Sequence, residues 1–402
     1  MKGWIFAALF FGICAYFALI AAGLWRRNVG IWWFDYRRHK RAQANIVKSS
    51  RPTEVMFCFV DHFEPRWGKA DYAAEVGRVN RWVDGYPKLC YGHRDADGKP
   101  PQHSFFFPSE EYRPEHIDEL SRLCAAGFGE IEIHLHHDND TEQGLRANLG
   151  EFLTRLVDDH DVLPIDRNTG RPLWSFIHGN WALDNSRRDG RWCGVNNELG
   201  ILREMGCYAD FTLPSAPSDT QTSTVNSIYY AFDDPQKPKS HDVGMPVRVG
   251  GQPQGDLMII QGPLSLRWKF RGAIPIPAIE NGDVRADNPP TPARVDAWVN
   301  TGIHVNGRPE WVFVKVHTHG TQDRDMDALL GAPVAQMFEY LERRYNDGQN
   351  YRLHYVTARE MYNIARAAEA GKFDDPGKYR DFIIPRPQYK SRQSTIDVVR
   401  AA

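Results

Sequence analysis

The stretch that decides the fold covers residues 54–64 and reads EVMFCFVDHFE, an apolar run that ends in charged and imidazole side chains. Three later runs end in the same way, and they are 130–133 (EIEI) before His134, 173–177 (LWSFI) before His178, and 311–316 (WVFVKV) before His317. Short apolar runs bounded by polar residues are typical of buried strands. We therefore predict strands whose carboxyl ends carry the chemistry.

Helical patterns separate these strands, at 114–126, 143–158, 196–205 and 328–346, and a last strand at 352–356 precedes a helix at 358–370. Alternating strands and helices predict an α/β fold with a parallel sheet or barrel, whose active site lies at the carboxyl ends of the strands. We expect this domain to span 51–370, with long loop insertions around 213–300. We expect the tail, 371–402, to pack poorly.

The composition is that of a globular protein. Among 402 residues, Lys and Arg number 49 and Asp and Glu number 51, which gives a net charge of −2. This balance argues against a dedicated nucleic-acid-binding protein, which would carry a basic surplus. A mean hydropathy of −0.52 excludes a protein with many membrane spans. The six cysteines form no CxxC motif, so they indicate neither a disulfide framework nor a zinc finger.

One apolar segment lies at the start of the chain. No charged residue occurs from Gly3 to Leu24, and a helix of this length reaches about 33 Å, enough to cross a hydrocarbon core of about 30 Å. Tryptophans flank it as they do at membrane interfaces, and they are Trp4, Trp25, Trp32 and Trp33. We therefore predict a transmembrane anchor at 1–25. A cleavable signal peptide and a buried helix of a soluble protein are the alternatives.

Positive charge follows this segment. Residues 26–50 carry seven Lys or Arg against one acidic residue, Asp35. We interpret them as a basic juxtamembrane linker that can bind anionic headgroups. The positive-inside rule then predicts a single-pass protein of a bacterial-type inner membrane, with its catalytic domain on the cytoplasmic side.

The densest group of metal-ligating residues is IHLHHDND at 133–140. His134 and His136 share one face of a strand because side chains alternate with a period of two, and Asp138 falls in the following loop. Imidazoles and carboxylates are the ligands that zinc and similar ions prefer. We predict metal binding by His134, His136 and Asp138, together with His62.

Two other strand ends carry acid–base groups. At the first, Asp61 can act as a general base or ligand, His62 as a ligand, and Glu64 is a further carboxylate. At the other, VHTHG places His317 and His319 where they can act as ligands or as a general acid. We predict catalytic roles for Asp61, His317 and His319.

Candidate substrate-binding residues lie near two further strands. His178, Asn180 and Trp181 combine an acid–base group, an amide and an aromatic ring on which a sugar could stack. Asp210 begins another polar stretch, and we place it in the same site. A buried Trp with a capping Asn is the alternative interpretation. Neither a phosphate-binding loop nor a Gly-x-Ser-x-Gly motif occurs in the chain.

From the first strand to the last helix, these motifs resemble the polysaccharide deacetylase-like (NodB-homology) group of the glycoside hydrolase/deacetylase barrel superfamily. The resemblance implies a distorted (β/α) barrel, here of (β/α)7 type. The family's first motif is an Asp-Asp pair, base then ligand, and Asp61-His62 stands in its place. Its second motif is a His with another His four residues on, whereas here Asp138 follows His134. Its late general acid corresponds to His317.

These departures from the family pattern leave the ligand set open. In one arrangement Asp61 is the base, and the ligands are His62, His134 and Asp138. In the other Glu64 is the base, and the ligands are Asp61, His134 and His136.

The resemblance implies a membrane-anchored, metal-dependent hydrolase that removes acetyl groups from a polysaccharide or a lipid-linked precursor sugar. Its cofactor would be a divalent metal ion, with zinc preferred, and its partners the carbohydrate and the membrane but no nucleic acid. One alternative is a glycoside hydrolase with Asp61 and Asp210 as its carboxylate pair. The others are an amidohydrolase-type barrel and a non-catalytic glycan-binding or scaffold protein of envelope polysaccharide assembly.

Overall fold

The computed structural model describes residues 2–46 and 51–389. Its helices are α1 (Lys2–Arg26), α2 (Val29–Ala44), α3 (Tyr72–Leu89), α4 (Pro114–Ala125), α5 (Glu142–Asp158), α6 (Glu198–Glu204), α7 (Pro292–Thr301), α8 (Asp323–Leu329), α9 (Ala332–Tyr345) and α10 (Ala358–Glu369). Its strands are β1 (Thr53–His62), β2 (His103–Pro108), β3 (Gly129–Leu135), β4 (Trp174–His178), β5 (Cys207–Asp210), β6 (Ile228–Ala231), β7 (Gly244–Pro246), β8 (Leu257–Ile260), β9 (Ser265–Arg271), β10 (Ile274–Glu280), β11 (Trp311–Thr318) and β12 (Tyr351–Tyr355).

Ten of these strands form one sheet, and β9 pairs with β10 in a separate hairpin. The order in the large sheet is β11-β1-β2-β3-β4-β5-β8-β6-β7, and β12 pairs with the first half of β1. Every pairing from β11 to β8 is parallel, whereas β6 pairs antiparallel with both β8 and β7. The predicted α/β class is therefore confirmed. The insertion region around 213–300 supplies β6 to β8 and the β9–β10 hairpin.

The expected (β/α)7-type barrel is not found as a closed barrel. Across the described residues, no strand pairing joins β8 to β11. The edge of β8 that closure would need is occupied by β6, which pairs with it over residues 228–231. Lys315 of β11 spans the gap instead, donating hydrogen bonds of 2.7 and 2.6 Å to the carbonyl oxygens of Phe211 and Leu213, just beyond β5. The sheet therefore curves far enough for one side chain to connect its two sides.

Alternation along β1 decides which side chains can reach the inside of this curved sheet. Phe57 and Phe59 belong to the core beneath the helices, whereas Cys58 and Val60 belong to the core inside the sheet. The same period of two turns residue 61 toward the helices and residue 62 inward.

The N-terminal residues form α1 and α2, and α1 coincides with the predicted anchor. Taking only residues that the structure describes, no helix on its own has the length and apolar character of a membrane span. Among these residues, only a bent pair has the length and composition of a span when its two segments are taken together. The pair is Phe10–Arg26 and Val29–Ala44, with a bend of 101° between them.

The predicted linker, 26–50, contains α2, which packs on the α/β domain. Trp32 is fully buried in an apolar cluster that includes Leu264, next to the end of β8. Toward the other end of the helix, Gln43 Nε2 donates a 2.8 Å hydrogen bond to the carbonyl oxygen of Gly302. The last four residues of the segment lie outside the described residues.

Within the described part of the predicted tail, residues 371–389, some side chains are buried against the domain, although many others are exposed. Arg380 is buried and forms a 2.8 Å ion pair with Asp95, on a loop between α3 and β2. Ile384 is buried as well. The rest of the predicted tail, 390–402, lies outside the described residues.

Candidate metal centre

Three parallel strands, β1, β3 and β11, bring histidines to one edge of the sheet. His62 is the last residue of β1, His134 is the penultimate residue of β3, and His319 follows the last residue of β11. Glu64 and His136 lie two residues beyond the first two of these. Because the carboxyl ends of adjacent parallel strands meet at one edge, ligands from three distant parts of the chain converge there.

The centre of this group is Glu64, His134 and His136, which we call the metal triad. Glu64 Oε1 lies 3.3 Å from His134 Nε2 and 3.7 Å from His136 Nε2. The other ring nitrogen of each histidine is already engaged. His134 Nδ1 lies 2.7 Å from the carbonyl oxygen of Ile177, and His136 Nδ1 lies 2.6 Å from Glu110 Oε1. On each ring, Nε2 is therefore the nitrogen that remains to coordinate a metal ion beside the carboxylate.

This arrangement could hold a metal ion. Donor atoms held about 2.0–2.2 Å from a tetrahedral zinc ion lie about 3.4 Å apart, close to the two separations in the metal triad. The buried Nε2 of His134 has no well-formed hydrogen bond of its own. A carbonyl or carboxylate on the opposite ring nitrogen is the usual support for a zinc-binding histidine. Three protein donors leave a fourth position open, as catalytic zinc sites do.

His62 and His319 stack beside the metal triad, and we call them the stacked pair. Their ring centroids are 4.6 Å apart with an interplanar angle of 23°. One nitrogen from each of them and a Glu64 oxygen all lie within 4.8 Å of one another. Burial holds the pKa of His62 well below its ordinary value, and the nearby His319 and His134 lower it further. His62 is therefore neutral at pH 7.

The pKa shifts of the metal triad bear on its ability to bind a cation. Burial acts to raise the pKa of Glu64, but its contact with His134 and the proximity of His319 bring it below the ordinary value. Burial acts to lower the pKa of His136, but Glu110 raises it overall. The metal triad therefore combines an ionised carboxylate with an imidazole that must release its proton when a metal binds.

Asp61, predicted as the general base, faces away from the metal triad. Its Oδ2 lies 2.9 Å from His103 Nε2, beneath the helices, and its Oδ1 accepts a 2.5 Å hydrogen bond from the backbone nitrogen of Gly320. A Cβ atom at Gly320 would lie 2.0 Å from Asp61 Oδ2, so only glycine fits this turn. Asp61 therefore holds the turn that carries His319, and it is not placed to deprotonate a water molecule at the metal triad.

Two further predicted residues lie outside the metal triad. His317 is buried inside the sheet, and its backbone pairs with residues 282–284. Burial, aided by Lys315, holds the pKa of His317 well below its ordinary value. Asp138, a predicted ligand, is exposed and accepts a 2.6 Å hydrogen bond from the backbone nitrogen of Trp192.

Of the predicted substrate-binding residues, Trp181 reaches this site. Its ring centroid lies 6.3 Å from that of His62 and 6.1 Å from that of His319. Asn180 precedes it in the same short helical turn. His178 lies on the face of β4 that points toward the helices, and its Nε2 is 3.5 Å from Glu198 Oε1. Asp210 accepts hydrogen bonds from the backbone and hydroxyl of the residue two positions later.

Several residues with roles at or near the site do not stand out in the sequence. Glu110 supports His136 from the turn after β2, and the apolar run at 104–108 is the signal that could have located that strand. Cys193 and Glu198 lie near the conspicuous His137 and His178, but nothing in their sequence spacing indicates a contact. Comparison with known protein families and with curated protein sequences finds no match for this chain. Its function is therefore inferred from the site.

Proposed function

We propose that this protein is a metal-dependent hydrolase that removes acetyl groups from a carbohydrate. The observation that carries the proposal is the metal triad, in which two imidazole nitrogens and one carboxylate oxygen have the spacing of zinc ligands at the carboxyl edge of a parallel sheet. The curved, open sheet is compatible with the distorted barrel of the deacetylase-like family that the motifs resemble.

The chemistry combines a bound ion with the stacked pair. A divalent ion in the metal triad would polarise an acyl carbonyl and lower the pKa of a water molecule. We assign proton transfer to His319, the half-buried member of the stacked pair that a substrate can reach, and the neutral, buried His62 stacks against it. Hydrolysis adds the water oxygen to the acyl carbon, breaks the bond to nitrogen or oxygen, and passes the water proton to the leaving group through His319.

Trp181 supports a carbohydrate as the substrate. Its ring lies beside both members of the stacked pair and is partly exposed. A flat aromatic face covers the apolar side of a sugar ring, and Asn180 next to it offers an amide for sugar hydroxyls. This face and amide would hold the sugar while its acetyl group reaches the metal triad.

Exposed apolar side chains support membrane attachment as part of the proposal. On α1 they are Trp4, Phe6, Phe10, Phe11, Ile13, Phe17, Leu19 and Trp25, and on the β9–β10 hairpin they are Trp268, Phe270, Ile274 and Ile276. Tyr16 donates a hydrogen bond to the carbonyl oxygen of Pro275, which places these two surfaces side by side. Cationic side chains, suited to anionic headgroups, line a groove of about 540 Å³ between α1, α2 and the hairpin, and they are Arg37, Lys40, Arg41 and Arg267. The charge pattern favours the cytoplasmic face of the membrane.

The glycoside hydrolase alternative receives less support. Asp61 and Asp210, its carboxylate pair, are both committed to hydrogen bonds elsewhere, with His103 and Thr212. Among the described residues, neither carboxylate forms a hydrogen bond or ion pair with the metal triad or the stacked pair. Release of reducing sugar that is insensitive to chelators would nevertheless favour this alternative.

The test is to measure metal content and acetate release from N-acetylated oligosaccharides in the full-length protein. We expect His134→Ala to lose the metal of the triad and the hydrolysis together, because it removes one of the three proposed ligands. His160→Ala, at an equally buried histidine remote from the site, is the matched control and keeps both. Should His134→Ala fold poorly, His136→Gln at a partly exposed ligand replaces it. Full hydrolysis by either ligand variant would refute the proposal, and glycan binding without acetate release would indicate the non-catalytic alternative.

A further inference from the structure

Behind the metal triad lies a second group of ligating side chains, His137, His178, Cys193 and Glu198, which we call the four-donor cluster. His137 follows β3, His178 ends β4, Cys193 lies in the loop after β4, and Glu198 begins α6. One donor atom from each lies within 4.8 Å of all the others. The side chains of His178 and Glu198 are fully buried and that of His137 is 5% exposed. This group shares no residue with the metal triad.

The two imidazoles of this cluster point their free nitrogens at the same place. His137 Nε2 lies 2.8 Å from His178 Nε2, and Glu198 Oε1 lies 3.2 Å from the first and 3.5 Å from the second. Each Nδ1 is already engaged, in His137 with Asp140 at 3.0 Å and in His178 with the carbonyl oxygen of Gly179 at 2.6 Å. Three donors thus face one buried point, where a shared proton or a metal cation offsets the repulsion between their lone pairs.

We propose that the four-donor cluster binds a second, structural metal ion of the zinc class, with two imidazole nitrogens, one carboxylate oxygen and one thiolate sulfur as ligands. Nitrogen and oxygen donors of a tetrahedral zinc ion lie about 3.4 Å apart, and the contacts of Glu198 match this spacing. Cys193 Sγ lies 3.6 Å from Glu198 Oε2, close enough to complete the set. The backbone nitrogen of Asp184 donates a 2.6 Å hydrogen bond to that same Oε2 and fixes the carboxylate.

Four protein donors in a buried position make this site closed, whereas the metal triad leaves a position open. Closed four-ligand sites stabilise structure, and open three-ligand sites take part in catalysis. The two sites are also linked through the chain, since His137 is the neighbour of His136. In addition, a Cβ atom at Gly179 would lie 2.4 Å from the ring of His136, so the turn after β4 packs directly against a ligand of the metal triad.

The second ion would therefore lock the loops after β3 and β4 together. These loops carry His136 of the metal triad and Trp181 of the suggested sugar site, so the ion would position both side chains. This positioning role rests on the proposed function, but the metal site itself does not. A metal-binding four-donor cluster would remain even if the protein had no hydrolase activity.

Cobalt(II) provides the decisive test, because a thiolate bound to cobalt(II) gives a near-ultraviolet charge-transfer band and the metal triad contains no sulfur. We expect full-length protein loaded with cobalt(II) to show this band and to bind two ions per chain. Cys193→Ser should abolish the band and lower the affinity of one ion at least tenfold. Cys90→Ser, at another buried cysteine whose thiol donates to the carbonyl oxygen of Pro101, should keep the band.

The outcomes separate the two proposals. The charge-transfer band reports only the four-donor cluster, whereas acetate release requires the metal triad. Cobalt-loaded wild-type protein without the band would overturn the inference, and so would a band that survives in Cys193→Ser. If Cys193→Ser does not fold, the wild-type spectrum and the ratio of two ions per chain decide the question without it.

Discussion

The carboxylate of Glu110 orients one proposed ligand, so replacing it by glutamine tests the metal triad without touching a ligand. Glu110 Oε1 lies 2.6 Å from His136 Nδ1 and also accepts a 3.2 Å hydrogen bond from the backbone nitrogen of His136. Glu110→Gln keeps the size and one acceptor oxygen of the side chain but removes its charge. The imidazole then loses the carboxylate that makes its Nε2 a stronger donor.

The expected loss of metal affinity follows from the exposure of this pair. Removing such a supporting group from a metal-binding histidine costs about 10- to 100-fold in affinity, or about 1.4 to 2.8 kcal/mol. The side chain of Glu110 is 33% exposed and that of His136 is 31% exposed. Water therefore screens the interaction, and we expect a loss near the lower end, about tenfold.

The assay is competition for zinc with a chelating indicator at pH 8. Glu111→Gln is the matched control, because Glu111 is the next residue and its Oε2 accepts a 2.6 Å hydrogen bond from the backbone nitrogen of Arg66 instead of contacting a ligand. Burial, together with Glu64 and Glu110, raises the pKa of Glu111 to about 7. At pH 8 both substitutions therefore remove one negative charge. The reasoning is refuted if Glu110→Gln binds zinc like the wild type, or if Glu111→Gln loses as much affinity.

Two further predictions concern stability. Trp32→Ala should speed amide hydrogen exchange throughout α2, because truncating a fully buried tryptophan costs about 3–5 kcal/mol of stability. Phe34→Ala, at an exposed position of the same helix, should leave the exchange unchanged. Equal exchange in both variants would contradict the docking of α2. His354 bonds to Asp97 and Glu54, and although burial acts to lower its pKa, these partners raise it to about 9. The resulting stabilisation, about 3 kcal/mol, should be complete below pH 6.5 and lost as pH rises through 9, so urea unfolding of His354→Gln should lack this pH dependence.

The period of two explains why the sequence predicts part of the metal triad. His134 lies on β3 and His136 directly follows its last residue, so a continued alternation brings the two side chains to the same side. Glu110 and the four-donor cluster depend instead on contacts between segments far apart in the chain. His137 and Glu198 are 61 positions apart, and no local pattern encodes that distance.

The failure of the sheet to close into a barrel could not be predicted, for a related reason. Strands and helices alternate in the sequence as a barrel requires, and the parallel pairing from β11 to β8 follows that pattern. The segment at 228–231, however, folds back antiparallel on β8 and occupies the edge needed for closure. A short strand inside a long irregular region, paired across about 30 residues, carries no periodic signal of its own.

The Asp61-His62 motif lies at the strand end that carries the site, but Asp61 itself does not face the metal triad. On a regular strand, neighbouring side chains point to opposite faces, so Asp61 and His62 cannot both face the metal triad at the end of β1. With His62 inward, Asp61 must lie among the helices, where His103 and the backbone nitrogen of Gly320 satisfy its oxygens. The inward face is next reached at Glu64, two residues after His62. The carboxylate of the metal triad is therefore Glu64. The alternation that turns Asp61 toward the helices turns Glu64 toward the metal triad.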